Sequence, residues 1–353
     1  MHYCFPGRIC QFAKYDWRVP TNQKRTHGIE KASNGEKKYI MKKKIIRCNL
    51  YSEFGGEVIN HNILAKSNDL HVTLRLTNNC SYKCNYCYFY KEGEEFINLE
   101  NFVSICDTLL QTGRDGYEFY IHGGEPSYHP QFHRIISHIG SAFAGKRLLI
   151  LIQTNLYQKV NAYLALPVSV KYLVSYHPAK TKFKVFKCKL HKLYRYKRLA
   201  CVDFMLEHEN RKVIKGDFLG LKQTELGHLV RPRLVSDIKF PDYDEIMEKF
   251  TPIERQYFFT FESGETAIVP ESKAKQQSFH FMKCNAGKKR VVVDPDGSYW
   301  GCQTQMVQGR TAGNLLEDPS KFLEYVRSPM VCLWQKCLCE IDLEKWVEKN
   351  EKR

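Results

Sequence analysis

No run of 18 apolar residues occurs anywhere in the 353-residue chain, so no segment is expected to cross a membrane as a helix. The opening residues, from Met1 to Arg8, lack the apolar core of a secretory signal. Without an export signal, the 14 cysteines are not expected to build a disulfide framework. Their expected use is metal ligation in a reducing compartment, and the expected location is cytoplasmic. Acidic residues are scarce in two stretches. Residues 1–50 carry Asp16, Glu30 and Glu36 against a much larger set of Lys and Arg, and residues 180–198 carry nine Lys or Arg and no acid. These two stretches account for the net charge of +16. Such patches suit nucleic acid or an acidic substrate, although a charge run is more often a solvated face.

Residues 1–40 are polar, basic and without periodicity, so residues 1–70 read as a basic, partly disordered extension. Met41 is an alternative natural start. Order begins with His71–Leu76, an apolar and β-branched run read as a strand. It leads into Cys80-Ser-Tyr-Lys-Cys84-Asn-Tyr-Cys87, three thiols spaced C-x3-C-x2-C. Three thiolates on one turn suit a single metal centre, and three is one fewer than a four-iron cube requires. Zinc is the plainer reading, but zinc sites normally pair two cysteine knuckles, and no second knuckle lies nearby. Cys106 falls on the apolar face of a predicted helix with Phe102 and Leu109, and is expected in the core. A second predicted strand, Tyr117–His122, runs into Gly123-Gly124-Glu125-Pro126.

Further strands are predicted at 146–155, 169–175 and 201–206. A sixth is predicted at 226–235, where Pro232 counts against it. Residues 183–193 place Phe183, Phe186, Leu190 and Leu193 on one face of a lysine-rich amphipathic helix. Its expected role is a barrel helix with a wet outer face rather than a membrane-surface helix. Alternation of strands and helices implies a parallel sheet, with chemistry at the C-terminal strand ends.

The three-cysteine loop after strand one and the GGEP turn after strand two together resemble the radical S-adenosylmethionine (radical SAM) superfamily, over residues 71–210. The resemblance implies an α/β fold, a partial (β/α)6 TIM-like barrel over 71–255. It implies a [4Fe–4S] cluster on Cys80, Cys84 and Cys87, with S-adenosylmethionine on the open iron. Reductive cleavage would then yield a 5′-deoxyadenosyl radical that abstracts hydrogen from the substrate. It also implies that Tyr86 lies against adenine. Gly123 and Gly124 let backbone approach the methionine end, Glu125 accepts from its ammonium group, and Pro126 stiffens the turn. Asn155 and Ser175 are candidate partners of the carboxylate or ribose, each balanced against a plain structural role. His122 and His177 read as packed histidines near the site, and Glu207 as the residue that ends strand five, with reach toward the cofactor the less favoured alternative. An electron donor such as a flavodoxin or ferredoxin is implied as partner.

A second cysteine field follows. Cys284 and Cys302 flank a hairpin whose turn is Asp296-Gly297, and Cys332, Cys337 and Cys339 come after it. The C-x12-G-x4-C spacing resembles the SPASM/twitch extension, implying a small α+β auxiliary domain over 256–345 with a charged tail at 346–353. Five cysteines in place of seven favour the shorter form with one auxiliary [4Fe–4S] cluster. Zinc remains an alternative there. The extension's common users make a peptide or protein side chain the expected substrate. RNA modification, a small-molecule reaction and a non-catalytic iron–sulfur scaffold or sensor stay open.

Overall fold

The computed structural model describes residues 68–87, 95–167, 169–235, 248–259 and 283–332. The basic extension up to residue 67, the charged tail, Cys337 and Cys339 lie outside them.

The first strand, β1 (Asp69–Arg75), sends Leu70, Val72 and Leu74 into the core and turns His71, Thr73 and Arg75 to its other face. After the cysteine loop comes α1 (Leu99–Gln111). Asn98 caps it by accepting from Asn101 N at 2.7 Å, and Phe102, Ile105, Cys106 and Leu109 fill its inner face. Cys106 is fully buried, as expected for a core residue. Then follow β2 (Gly116–His122), α2 (Phe132–Ala142), β3 (Arg147–Thr154), α3 (Val160–Leu164) and β4 (Val170–Tyr176). The chain continues with α4 (Phe183–Arg195), β5 (Leu199–Leu206), α5 (Arg211–Lys222) and β6 (Val230–Leu234). Residues 227–229 form a 3-10 turn, so the sixth strand starts later than the sequence predicts. Pro232 is tolerated because β6 is an edge strand.

Strands β1 to β6 lie side by side in chain order, and each is parallel to the next. An order that never reverses keeps every crossover helix on one side, which is the arrangement of a barrel and not of a doubly wound sheet. The helix side buries one large apolar cluster that includes Phe119, Ile150, Tyr172 and Phe204. The opposite, inner face is largely polar.

After α6 (Pro252–Phe259) come β7 (Lys283–Cys284), β8 (Arg290–Val293) and β9 (Ser298–Trp300). They are followed by α7 (Gln303–Val307), β10 (Gly313–Asn314), α8 (Pro319–Tyr325) and β11 (Met330–Val331). The hairpin forms as expected: Gly297 sits at φ +85° and its N–H donates to Asp294 O at 3.0 Å. Unforeseen is where the hairpin goes. β8 pairs in parallel with β1, Arg290 opposite His71 and Val293 opposite Leu74, so β8, β9 and β10 extend the barrel sheet to nine strands. The expected boundary at residue 255 therefore separates chain segments and not sheets. Arg114 reinforces the join, donating to Asn68 Oδ1 (2.9 Å), Lys288 O (2.8 Å) and Val326 O (2.7 Å).

Candidate cofactor site

The cysteine loop leaves the C-terminal end of β1 and is bolted to the turn after β2. Gly124 N donates to Thr77 O and Glu125 N to Asn79 O, both at 2.8 Å. A Cβ at Gly124 would stand 1.8 Å from Asn79 O, and Gly123 holds φ +122°. The missing side chains of these glycines are thus used to seat the root of the cysteine loop.

Glu125 is buried, and its carboxylate takes four hydrogen bonds, three on Oε1 and one on Oε2. Oε1 accepts from Ser127 N (3.1 Å), Ser127 Oγ (2.5 Å) and Thr154 Oγ1 (2.7 Å), and Oε2 accepts from Asn155 N (2.7 Å). These bonds tie the turn to the end of β3, and with about two acceptor positions on each oxygen, Oε2 keeps one. Burial pushes its pKa up against the pull of those donors. Pro126 opens the short 3-10 turn at 126–128 and is buried.

The three thiols share one partly buried region. Burial pushes Cys80 up to about 12, with Glu125, Cys87 and Cys84 adding repulsion. Burial also raises Cys84, as do Cys87 and Glu207, while Lys180 acts the other way. Asn155 Nδ2 donates to Cys80 Sγ at 3.7 Å, and Asn155 Oδ1 is buried without a partner. His177 Nδ1 lies 2.9 Å from Tyr86 Oη and 3.5 Å from Cys84 Sγ. Its ring stacks on Tyr86 and meets the edge of Tyr82. Burial pushes His177 down to about 4, which keeps it neutral near pH 7. Glu207 exchanges hydrogen bonds with Asn210, and its charge reaches Cys84 and Tyr86.

This donor set fits the implied cluster. Among the described residues, no three His, Cys, Asp or Glu side chains converge closely enough for one metal ion. A four-iron cube makes a different demand, since each thiolate takes its own iron and the sulfurs stand apart. The mutual repulsion of the thiols is what a cationic metal centre relieves. The orphaned Asn155 Oδ1 is an acceptor aimed at a donor that no protein group supplies.

Ser175 is buried on the inner sheet face, where Gln153 Nε2 donates to its Oγ at 3.3 Å and Tyr120 bonds Gln153 in turn. The same face carries groups that motif reading passed over. Arg75 pairs with Asp294 (2.9 Å) and also bonds Asn78. Arg231 grips Asp203, with Nη2 to Oδ2 at 3.1 Å. His71 lies 3.5 Å from Glu118. Burial pushes Asp203 up, yet Arg231 outweighs it and the carboxyl stays low. His122 is pushed down to about 3 by burial and by Arg75, Arg290 and His71. A signal for this face was present in the sequence: the polar residues at every second position of His71–Arg75 and Glu118–His122.

In the second cysteine field, β7 pairs antiparallel with β11, Cys284 opposite Met330, two residues before Cys332. Cys302 caps α7 through its Sγ, which accepts from Gln305 N at 3.4 Å. A Cβ at Gly301 would meet Gly287 N at 3.0 Å and Tyr325 Oη at 2.5 Å. Burial raises the Tyr325 pKa, and charge on Cys302 and Cys284 raises it further. Both cysteines therefore lie toward the same end of the hairpin, as the spacing predicts.

The Radical SAM superfamily model matches residues 74–162. Among curated proteins, the antilisterial bacteriocin subtilosin biosynthesis protein AlbA of Bacillus subtilis (strain 168) is 25% identical over 313 residues. That match covers 80% of this chain and 66% of the relative, so the chain spans just under two thirds of its length. Native anSMEcpe with bound AdoMet and Kp18Cys peptide superposes with a TM-score of 0.52 at 13% identity, covering 72% of this chain and 80% of that one. Native anSMEcpe with AdoMet and Cp18Cys peptide gives 0.51 at 14% identity, with the same coverage. At such identities the likeness is one of fold. The matched segment spans the cysteine loop, the GGEP turn and Asn155, and over those residues the chain is similar to the radical SAM superfamily of enzymes.

Proposed function

We propose that this enzyme modifies a peptide or protein side chain by radical chemistry in the cytoplasm. The observation that carries the reading is the seat of Cys80, Cys84 and Cys87: a partly buried loop at the C-terminal end of β1, fastened to the GGEP turn at the end of β2. Strand ends of this kind are where barrel enzymes do chemistry. When bound, a [4Fe–4S] cluster and S-adenosylmethionine supply reductive C–S cleavage to a 5′-deoxyadenosyl radical that takes a hydrogen atom from the substrate.

The chain's own residues bind and orient. Asn155 donates to the Cys80 sulfur and keeps Oδ1 for a donor on the cofactor. His177 fixes Tyr86, expected beside adenine, against the loop. Glu125 holds the GGEP turn, and its Oε2, which takes the Asn155 N bond alone, would accept from an ammonium group of the cofactor. Ser175 and Gln153 offer hydrogen bonds on the inner face. Cys284, Cys302 and Cys337, with Cys332 or Cys339, would hold an auxiliary cluster. Its role would be to accept an electron from the substrate radical or to orient the substrate. The peptide class is supported by the curated relative, whose name is that of a bacteriocin biosynthesis protein, and by the peptide-bound anSMEcpe structures.

Anaerobic reconstitution tests the reading. About eight irons per chain are expected if both clusters form, and about four if only the first does. Reduced protein given S-adenosylmethionine should release 5′-deoxyadenosine, and Cys84→Ala should abolish that release while keeping the second complement of iron. Iron-loaded wild type that cleaves no S-adenosylmethionine would leave a cluster-binding scaffold instead.

A further inference from the structure

One guanidinium on the inner face of the sheet has no carboxylate among the described residues. Arg290 stands at the head of β8, in one row with His71 of β1 and Glu118 of β2. Residues paired across a sheet share a face, so its side chain points inward, away from the outer apolar cluster that takes Val291 and Val293. It is only 4% exposed. Its Nη2 donates to Thr73 Oγ1 in a long bond of 3.4 Å, while Nε and Nη1 are buried with no partner. Two other guanidiniums of this face are matched: Arg75 holds Asp294, and Arg231 holds Asp203. Glu118, the acid in the Arg290 row, lies beside His71 at 3.5 Å. A second orphaned donor stands on the neighbouring strand. Trp300 of β9 is opposite Val292, which puts it on the inner face and diagonal to Arg290. It is 7% exposed, and its indole Nε1 is buried without a partner. Buried donors normally find acceptors, and a buried cation without an anion is costly. Two such donors on adjoining strands describe a seat for an acceptor that the described residues do not supply.

We propose that Arg290 and Trp300 form a subsite for a carboxylate of the substrate, carried on an acidic side chain or at a chain end. The proposal rests on the peptide reading given above and narrows it to substrates with such a group. A carboxylate is planar, takes a guanidinium as a fork, and keeps a lone pair for the indole N–H. A phosphate group carries more charge than one guanidinium balances, and Arg75 and Arg231 are already committed to acids of the chain. The backbone of Arg290 lies four residues, roughly 13 Å, below the strand end where Arg75 meets Asp294. The carboxylate is therefore gripped deep on the inner face, and the rest of the substrate extends from it toward the cysteine loop. Binding at such a remove orients the reacting group without touching it, which makes Arg290 a positioning and specificity residue.

The test uses the full chain, wild type against R290M and R290K. N-acetylglutamate N-methylamide presents a side-chain carboxylate, N-acetylglycine a chain-end one, and N-acetylglutamine N-methylamide the neutral isostere. Binding is titrated on the indole N–H resonance of Trp300, assigned with W300F. In wild type one of the two acids should move that resonance and bind at least about tenfold more tightly than the neutral amide, and which acid it is names the source. R290M should bind that acid at least about tenfold more weakly. R290K should fall between, because lysine keeps the charge and loses the fork. Thermal melts separate binding from structure. Ligand-free R290M should melt no lower than wild type, since an apolar chain replaces a buried unmatched cation. Neither acid moving the wild-type resonance overturns the proposal. So does equal binding of acid and amide, a stronger response to inorganic phosphate or to S-adenosylmethionine, or an R290M midpoint more than about 4 °C below wild type, the mark of a purely structural arginine. Iron uptake and 5′-deoxyadenosine release by wild type test the cluster reading separately. The titration needs neither, so the two failures are told apart.

Discussion

His122 shows how much of this site depends on single side chains held out of water. Its pKa is pushed down to about 3 by burial and by the cations Arg75 and Arg290. An unfolded histidine titrates near 6.5, so between those values the unfolded chain binds a proton that the folded chain refuses. Stability should therefore fall as pH drops from about 6.5 toward 3, by up to ~1.4 kcal/mol per pH unit from this residue. Denaturant melts of wild type and His122→Asn across that window check it; an identical slope in both would refute it. His177 is tested differently. His177→Phe keeps a ring against Tyr86 but removes the 2.9 Å bond to its hydroxyl. About 1 kcal/mol of local stability should be lost, and the reconstituted protein should show an altered cluster EPR signal at unchanged iron content. An unaltered signal would make His177 a packing residue only. The motif named the cysteines and the glycines, but it did not reveal their contacts. Gly124 serves Asn79, and Glu125 serves Ser127, Thr154 and Asn155. Those are contacts between separate loops, and no local pattern encodes them.

Among the elements, the strands and helices of the barrel were legible because each carries its period openly. Every second residue of β1 and β2 is apolar, and the 3.6-residue stripe of α1 runs through Phe102, Ile105 and Leu109. The docking of β8 on β1 was not legible. It joins residues more than 200 positions apart, and four hydrophobic β-branched or basic residues in a row do not say which edge they seek. What specifies the join is a buried charge pair, Arg75 with Asp294 at 2.9 Å, at the top of both strands. Asp294→Ala would leave the Arg75 guanidinium buried beside no carboxylate, which should cost about 3–5 kcal/mol. The companion Arg75→Met/Asp294→Leu should recover much of it. Urea unfolding of the three proteins decides the point, and a loss under about 1 kcal/mol for Asp294→Ala would place the specificity elsewhere.

At the scale of the described residues, the hairpin strands β8 to β10 of the second cysteine field are part of the barrel's own sheet, while Cys284 lies in the separate β7–β11 pair. The apoprotein should consequently unfold over residues 69–331 in one calorimetric transition, since β8 cannot leave without exposing the edge of β1. Two resolved transitions would show that the hairpin melts alone. Arg114→Ala removes three hydrogen bonds, two of which cross the join, and should lower the midpoint, by an amount matching about 2 kcal/mol or more, without splitting the peak.

The parallel ladder between β1 and β8 has a geometric consequence. Cys80 hangs from the end of one strand, and Cys302 lies just beyond the hairpin that begins with its neighbour. Anything carried at these two stations is mounted on one frame, with β8 as the rail between them. The ladders through β8 set the gauge between them, and a substrate reaching both stations would have to fit it.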